Sequence, residues 1–467
     1  MQTTDFSART PDLPLTPDTS RTLKQSLGVW DVVMITVSGV TPASSLFVIA
    51  PVAIQQAGSG AVMSFILGGT LALAFALCYA ELGAAHRSAG GEYVMAKRVF
   101  GALPGYLIFI AMLAICAFIP AVLASGAAHY LNNALGTNFS DESVALVVVV
   151  MGYVVGTLNI KINAWITGAF LAGEVLVLVL IAYLGFSSPH RAISALITPE
   201  VASNGTLIPA TIAMLIPAVG TAIFCFNGFG AAVLLAEDLE GGNRNVARSV
   251  IYSLLAILLV ELIPLTAIVI GAPSLVDLSD SADPIGYVIG ELGSPEMTRV
   301  VSAGIFLSVF NAIIALVIQI GRLLYSSGRH ALWLRGCNRA FTHIHPKLDS
   351  PWLATLVMAV PSTLLLFVSS LDQLTAFTVD LLLVIYITVA LAALLSRMIR
   401  RDVDHPYRMP FWPLPPLVAI SGASYTLYTT LAAASGPRDL YIIGGLLLFG
   451  LVMYAVWARH SATFHEI

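Results

Sequence analysis

The sequence predicts an all-α integral membrane protein of about twelve transmembrane helices, with helices one and six broken and a five-plus-five inverted repeat. Three observations predict it. The 467 residues are 58% hydrophobic and only 10% charged, where soluble globular chains carry roughly 25% charged residues. The apolar residues fall into blocks of about 20, the length a helix needs to cross a hydrocarbon core of about 30 Å. These blocks lack period-two alternation, which leaves helices rather than a barrel as the way to satisfy every backbone group in lipid.

Taken in order, residues 1–25 are polar, rich in Thr and Pro and without an apolar run, so a disordered cytoplasmic lead-in is expected rather than a signal peptide. Spans follow near 28–57, 61–84, 104–133, 143–158 and 163–186, then 207–236, 248–272, 297–328, 353–370 and 374–397, then 413–434 and 438–458. This divides the chain into a first repeat at 26–186, a second at 207–397, two closing spans within 411–458 and a cytoplasmic tail at 459–467.

Lys and Arg are retained on the cytoplasmic side of a membrane. With both termini inside, 19 of the 22 basic residues lie in inner segments and only Arg191, Arg299 and Arg438 lie outside. Missing one early span would destroy that asymmetry, so it supports the even count with both termini inside; the cell membrane is the expected location. The acidic residues Asp277, Asp280, Asp283, Glu291 and Glu296 fall in one outer loop, and a net charge of −4 gives no footprint for nucleic acid. Cys78, Cys116, Cys225 and Cys337 lie in spans or an inner loop, away from an oxidising compartment. No metal-ligand spacing, nucleophile elbow or phosphate-cradling loop occurs, so neither an enzyme nor a metal site is expected, and His129 and the inner-loop histidines are not read as ligands.

The first span holds Ser38-Gly39-Val40-Thr41-Pro42-Ala43-Ser44-Ser45 in mid-bilayer, where Pro42 removes a backbone hydrogen bond and clashes with the preceding turn. The sixth repeats the event at Phe226-Asn227-Gly228-Phe229-Gly230. Two interrupted helices five spans apart are what inverted repeats place face to face at the midplane. Such breaks expose amides that attract a carboxylate and carbonyls that attract an ammonium, so an amino acid zwitterion fits both. The alternative is that Gly and Pro only bend these helices for packing.

Several ordered stretches resemble the amino acid, polyamine and organocation permease superfamily, whose members share the leucine-transporter-type fold. They are Tyr79-Ala80-Glu81-Leu82 with Ala89-Gly90-Gly91-Glu92-Tyr93, Ala236-Glu237-Asp238 with Asn243-Arg244-Asn245-Val246, and Gly321-Arg322-Leu323-Leu324-Tyr325 running to Arg329-His330. His345-Pro346, Pro351 and His405-Pro406-Tyr407-Arg408-Met409-Pro410 follow. By that likeness Ala43, Ser44 and Ser45 stand at the family's Gly-Ser-Gly turn, and their added β-carbons narrow the site toward a small substrate. The resemblance implies that Thr41, Phe224, Cys225 and Asn227 offer carbonyls to an ammonium, with Gly228 in the same turn. Phe224 and Phe226 either wall the pocket or pack. Gly230 stands where relatives often have an acidic residue, so no carboxylate is expected there.

A charge in mid-membrane costs at least ~2.5 kcal/mol unless paired or neutral, and Glu174 lies in the middle of span five. Proton-coupled relatives place a lysine at the matching position. A carboxyl whose contact with water alternates loads and releases a proton, which makes Glu174 the expected coupling residue; the alternative is a protonated carboxyl bonded to a neighbouring helix. Glu261 and Asp380 are expected to be locally paired or near helix ends. Ser308 and Asn311 lie on the stretch that faces the first break in sodium-coupled relatives, where two oxygens alone make a poor sodium site. The expected activity is proton-coupled transport of a small neutral amino acid or related amine, without a cofactor. The alternatives are an exchanger, a sodium symporter or a non-transporting membrane sensor.

Overall fold

The computed structural model describes residues 27–86, 90–158, 160–203, 205–236, 239–281, 283–348, 350–399, 406–432, 436–461 and 464. The lead-in at 1–25, Ala89, Glu237, Asp238, His405 and most of the tail 459–467 lie outside them.

The first broken span comprises α1 (Val29–Val40), the single turn α2 (Pro42–Ser44), a π turn at Ser45–Ile49 and α3 (Ala50–Ala57). After it run α4 (Ala61–Ala85), α5 (Glu92–Phe100), α6 (Ala102–Leu135), α7 (Asp141–Gly156) and α8 (Ile160–Ser187). A two-stranded hairpin, β1 (Glu200–Ser203) with β2 (Thr206–Pro209), precedes α9 (Ile212–Cys225) and the four-residue α10 (Ala231–Leu234). Next come α11 (Asn243–Gly271), α12 (Leu275–Asp280), α13 (Pro284–Leu292), α14 (Pro295–Arg329) and α15 (Arg335–Phe341). The chain closes with α16 (Trp352–Leu356), α17 (Ala359–Val368), α18 (Leu371–Ile399), α19 (Leu414–Ala432) and α20 (Gly436–Val456).

Among the described residues, seven helical stretches are long and apolar enough to cross a membrane, with Ile212–Cys225 and Trp352–Val368 as shorter apolar helices. Their packing matches a lipid solvent. Leu176 and Val179 on α8 are 70% and 60% exposed, and Leu448 on α20 is 62% exposed, an apolar exterior that water would not tolerate on this scale. Inside, α4 packs against α9, α11, α18 and α19, while α6 packs against α14, α7 and α5. Close approach depends on small residues: a Cβ on Gly185 of α8 would sit 2.2 Å from the carbonyl oxygen of Ala267 on α11.

Two apolar blocks differ from their sequence reading. The sixth, expected from 207, begins as strand β2, where Ile208 pairs with Val201, and becomes helical only at Ile212. A short apolar run cannot be assigned to strand or helix by hydropathy alone. The ninth is interrupted between Leu356 and Ala359, because Pro361 has no amide proton to give the carbonyl one turn back.

The stretches that carry the family resemblance meet at the α5 end of the bundle. Arg397 of α18 donates through Nε and Nη2 to the two oxygens of fully buried Glu81, each at 2.5 Å, and the Met409 amide donates to Glu81 Oε2 at 2.8 Å. Tyr93 bonds His330 Nδ1 at 2.6 Å, and Arg244 Nε donates to the Pro406 carbonyl at 3.1 Å. Residues far apart in sequence thus fasten α4, α5, α11, α14 and α18 together. Truncating Arg397 to Ala leaves Glu81 buried without its counter-charge, so a loss of about 3–5 kcal/mol is expected. Unfolding of the purified variant in detergent measures it.

Candidate functional site

The α1 helix stops because Thr41 adopts φ 49°, and Pro42 then starts a new turn. The α9 helix stops at Phe226, and Gly228 at φ 121° turns the chain before Ala231. The two interruptions are packed directly on each other. Cys225 Sγ lies 3.7 Å from the Ser45 carbonyl oxygen, and a Cβ on Gly228 would fall 2.5 Å from Val40 Cγ2. Gly228 is therefore required twice, for its backbone angle and for the absence of a side chain.

Thr41, Ala43, Ser44, Ser45, Phe224, Cys225 and Phe226 are all buried at this junction. The Phe226 ring meets Phe65 of α4 edge to face, with centroids 5.3 Å apart, which is a packing role. The Phe224 carbonyl already accepts the Asn227 amide at 3.0 Å, and the Thr41 carbonyl accepts that of Ser45 at 3.2 Å. Asn227 is set apart: its Oδ1 accepts the Tyr386 hydroxyl of α18 at 2.7 Å.

Glu174 of α8 reaches this junction. Its Oε1 accepts the Ala43 amide at 2.7 Å, while Oε2 has no hydrogen-bond partner, and the residue is 1% exposed. An amide freed by the helix break, the kind of group expected to bind a substrate carboxylate, is held by a carboxyl of the protein itself.

Glu261 departs from expectation. It lies in the interior of α11, fully buried, with Ser45 and Glu174 as polar neighbours and with neither oxygen in a well-formed hydrogen bond. It is neither locally paired nor at a helix end, and it flanks the same three-residue stretch as Glu174. A signal for it existed: Ser249, Ser253, Ile257 and Glu261 recur every four residues and mark one buried face of α11. Asp380 is paired, its Oδ1 accepting the Thr430 hydroxyl at 2.5 Å. On α14 the Ser308 hydroxyl donates to Gly304 of its own helix at 2.9 Å, and both amide atoms of buried Asn311 lack partners. His129 sits 2.9 Å from Asp283, an ion-pair geometry at the α13 end.

Toward α5 from the junction lies a cavity of ≈ 130 Å³ between α4, α5, α6, the second break, α14 and α18. Asn227, Gly228 and Gly230 line it, whereas Thr41, Ala43, Ser44, Ser45 and Glu174 do not. Glu92 at the first turn of α5 faces it, with the Tyr79 hydroxyl donating to Oε1 at 3.2 Å. Burial pushes the Glu92 carboxyl above its usual range, and the Tyr79 hydrogen bond opposes that less strongly. The sequence reading expected no carboxylate near Gly230, yet Glu92 Oε1 lies 3.4 Å from the point where a Gly230 Cβ would be. The acid arrives from another element, which linear position could not show.

Comparison with known proteins gives a consistent result. The amino acid permease family model matches residues 27–456. The chain is 20% identical to the serine/threonine exchanger SteT of Bacillus subtilis, covering 86% of this chain and 90% of that one. It is 22% identical to the branched-chain amino acid permease BcaP of Lactococcus lactis over 94% and 97% of the two chains. It is 21% identical to the methylthioribose transporter of Bacillus subtilis over 92% and 94%.

Replacing Gly228 by Ala is expected to destabilise the junction by about 1–3 kcal/mol through overpacking and by a similar amount through backbone strain. Adding Val40→Ala relieves only the first part. Unfolding midpoints of the single and double variants separate the two.

Proposed function

The chain belongs to the amino acid permease family, and from that premise we propose a secondary transporter that moves a small neutral amino acid, or a related amine or imino acid, by alternating access coupled to protons. In this reading twelve spans form two inverted five-helix repeats and a closing pair, both termini are cytoplasmic, and the protein resides in the cell membrane. Transport, rather than catalysis, is the activity of the family and of the relatives.

The observation that carries the coupling is the 2.7 Å hydrogen bond from the Ala43 amide to Glu174. A charge-assisted bond of this kind is roughly twice as strong as a neutral one. Ionised Glu174 therefore competes with a substrate carboxylate for the first break. Protonated Glu174 holds the amide weakly and yields it. A proton and a zwitterion then load together, which is symport. Glu261, which neighbours Ser45 and Glu174, adds a second buried carboxyl to the same electrostatic site, so ionising both at once is unfavourable. The methyl and hydroxymethyl groups of Ala43, Ser44 and Ser45 narrow the floor and support a small substrate.

An exchange mode is a second reading, favoured by the likeness to the serine/threonine exchanger. Uptake of radiolabelled amino acids, serine, threonine and leucine among them, into proteoliposomes of purified protein separates the modes. Concentrative uptake driven by an inward pH gradient alone is the expected outcome. A requirement for unlabelled solute inside would establish exchange, a requirement for a sodium gradient would establish sodium symport, and binding without flux would leave a sensor. Glu174→Gln, which imitates the protonated state, is expected to keep substrate binding and flatten the pH dependence of uptake. An unaltered pH profile in that variant would remove Glu174 from the coupling step.

A further inference from the structure

The cavity beside Glu92 is chemically one-sided. Its 19 lining residues include a single ionisable carboxyl, Glu92, and no Lys or Arg. Most of the wall is aliphatic, from Met112, Ile115 and Ile119 of α6 to Leu316 and Leu323 of α14. An anion entering would meet Glu92 without a counter-charge, and a wholly neutral ligand would leave the carboxyl unused.

Two rings frame the acid. Tyr79 donates its hydroxyl to Glu92 Oε1, and Tyr386 is oriented by its 2.7 Å hydrogen bond to Asn227. Their centroids lie 5.8 Å apart at an interplanar angle of 86°. The space beside Tyr79 and Glu92 is kept open because position 230 is glycine: a Cβ there would come within 2.8 Å of Tyr79 Cε1 and 3.4 Å of Glu92 Oε1.

We propose that this cavity is a binding site for an organic ammonium group, with the Glu92 carboxylate as counter-ion and the Tyr79 and Tyr386 rings as walls. The site is distinct from the Ala43 to Ser45 junction, where the protein's own groups bind an anion. Its occupant is either a free amine or the ammonium of the transported amino acid; only that second identity rests on the permease reading.

The titratable groups facing Glu92 are Tyr79 from α4, Cys116 from α6 and Tyr386 from α18, with Lys97 and Arg98 further along α5. Protons and ammonium compete for one carboxylate. Because burial lifts the Glu92 titration above the usual carboxylate range, that competition extends toward neutral pH. Below the titration each pH unit weakens ammonium binding by about tenfold; above it binding no longer depends on pH.

The test is equilibrium binding of radiolabelled n-butylammonium, L-leucine, L-threonine and butyrate to the purified full chain across a pH series. Binding of n-butylammonium but not butyrate, weakening with acid, is the expected result. Glu92→Gln should reduce it by about 10- to 100-fold, the worth of a hydrogen bond to a charged group, and abolish the pH dependence. Glu92→Asp should retain that dependence. Cys116→Phe, which fills the cavity from the α6 wall, should also remove binding. Competition between n-butylammonium and either amino acid shows a shared site, and a Glu92-dependent pH profile for an amino acid alone identifies its ammonium as the occupant. Amino acid binding that is unchanged in Glu92→Gln, with no n-butylammonium bound to the unaltered chain, overturns the proposal and leaves the permease reading intact. Glu92-dependent n-butylammonium binding with no amino acid flux in liposomes would do the reverse.

Discussion

The arrangement depends on one requirement: a backbone amide away from water must have a partner. Breaking a helix in the bilayer frees such amides, and at Ala43 the partner is Glu174, 131 residues further along the chain. The bond ties α8 to the first break, sets the carboxyl against Ser45 and Glu261, and gives a buried acid a reason to be present. Without the break Glu174 would be an isolated carboxyl in hydrocarbon; without Glu174 the break would hold an unsatisfied donor. Each defect compensates the other.

How far this was legible in the sequence depends on the distance over which the signal acts. Pro42 and Gly228 announce the interruptions locally, because their backbone chemistry permits little else. Glu174 was visible as a charge in an apolar run. Its partner was not, since a link between residues 43 and 174 leaves no local trace. Glu261 was misread for a related reason: its neighbours in sequence are apolar, and only the four-residue rhythm from Ser249 shows that it faces inward. In the sequence Glu92 stands out only as part of a stretch that carries the family resemblance, because α5 brings it to the second break through tertiary packing. The start of the sixth apolar block failed differently, since strand and helix share hydropathy over a few residues.

The α5 end shows why the resembling stretches keep their order along the chain. Glu81 fixes Arg397 and the Met409 amide, Tyr93 fixes His330, and Arg244 fixes the Pro406 carbonyl. These are fastenings between elements rather than contacts to a solute. A motif match there reports the framework and is silent on the substrate, which accounts for relatives named for such different solutes at similar identity. Specificity must lie in positions that the framework leaves open: the side chains at Ala43 to Ser45 and the lining around Glu92.

A zwitterion presents two opposite charges, and the protein places different chemistry at two separate points. At the first break an amide is exposed and a carboxyl of the protein occupies it. In the cavity a carboxylate stands beside the Tyr79 hydroxyl, with no basic side chain among the lining residues to occupy it. Protonation has opposite consequences at the two points under the proposed scheme. Neutralising Glu174 frees an anion-binding group, whereas neutralising Glu92 removes a cation-binding one. In that scheme acid favours loading at the junction and discharge from the cavity. In the proposed scheme, and with the substrate's ammonium as the occupant of the cavity, the two acids stand for opposite ends of the substrate: Glu174 imitates the carboxylate and Glu92 complements the amine.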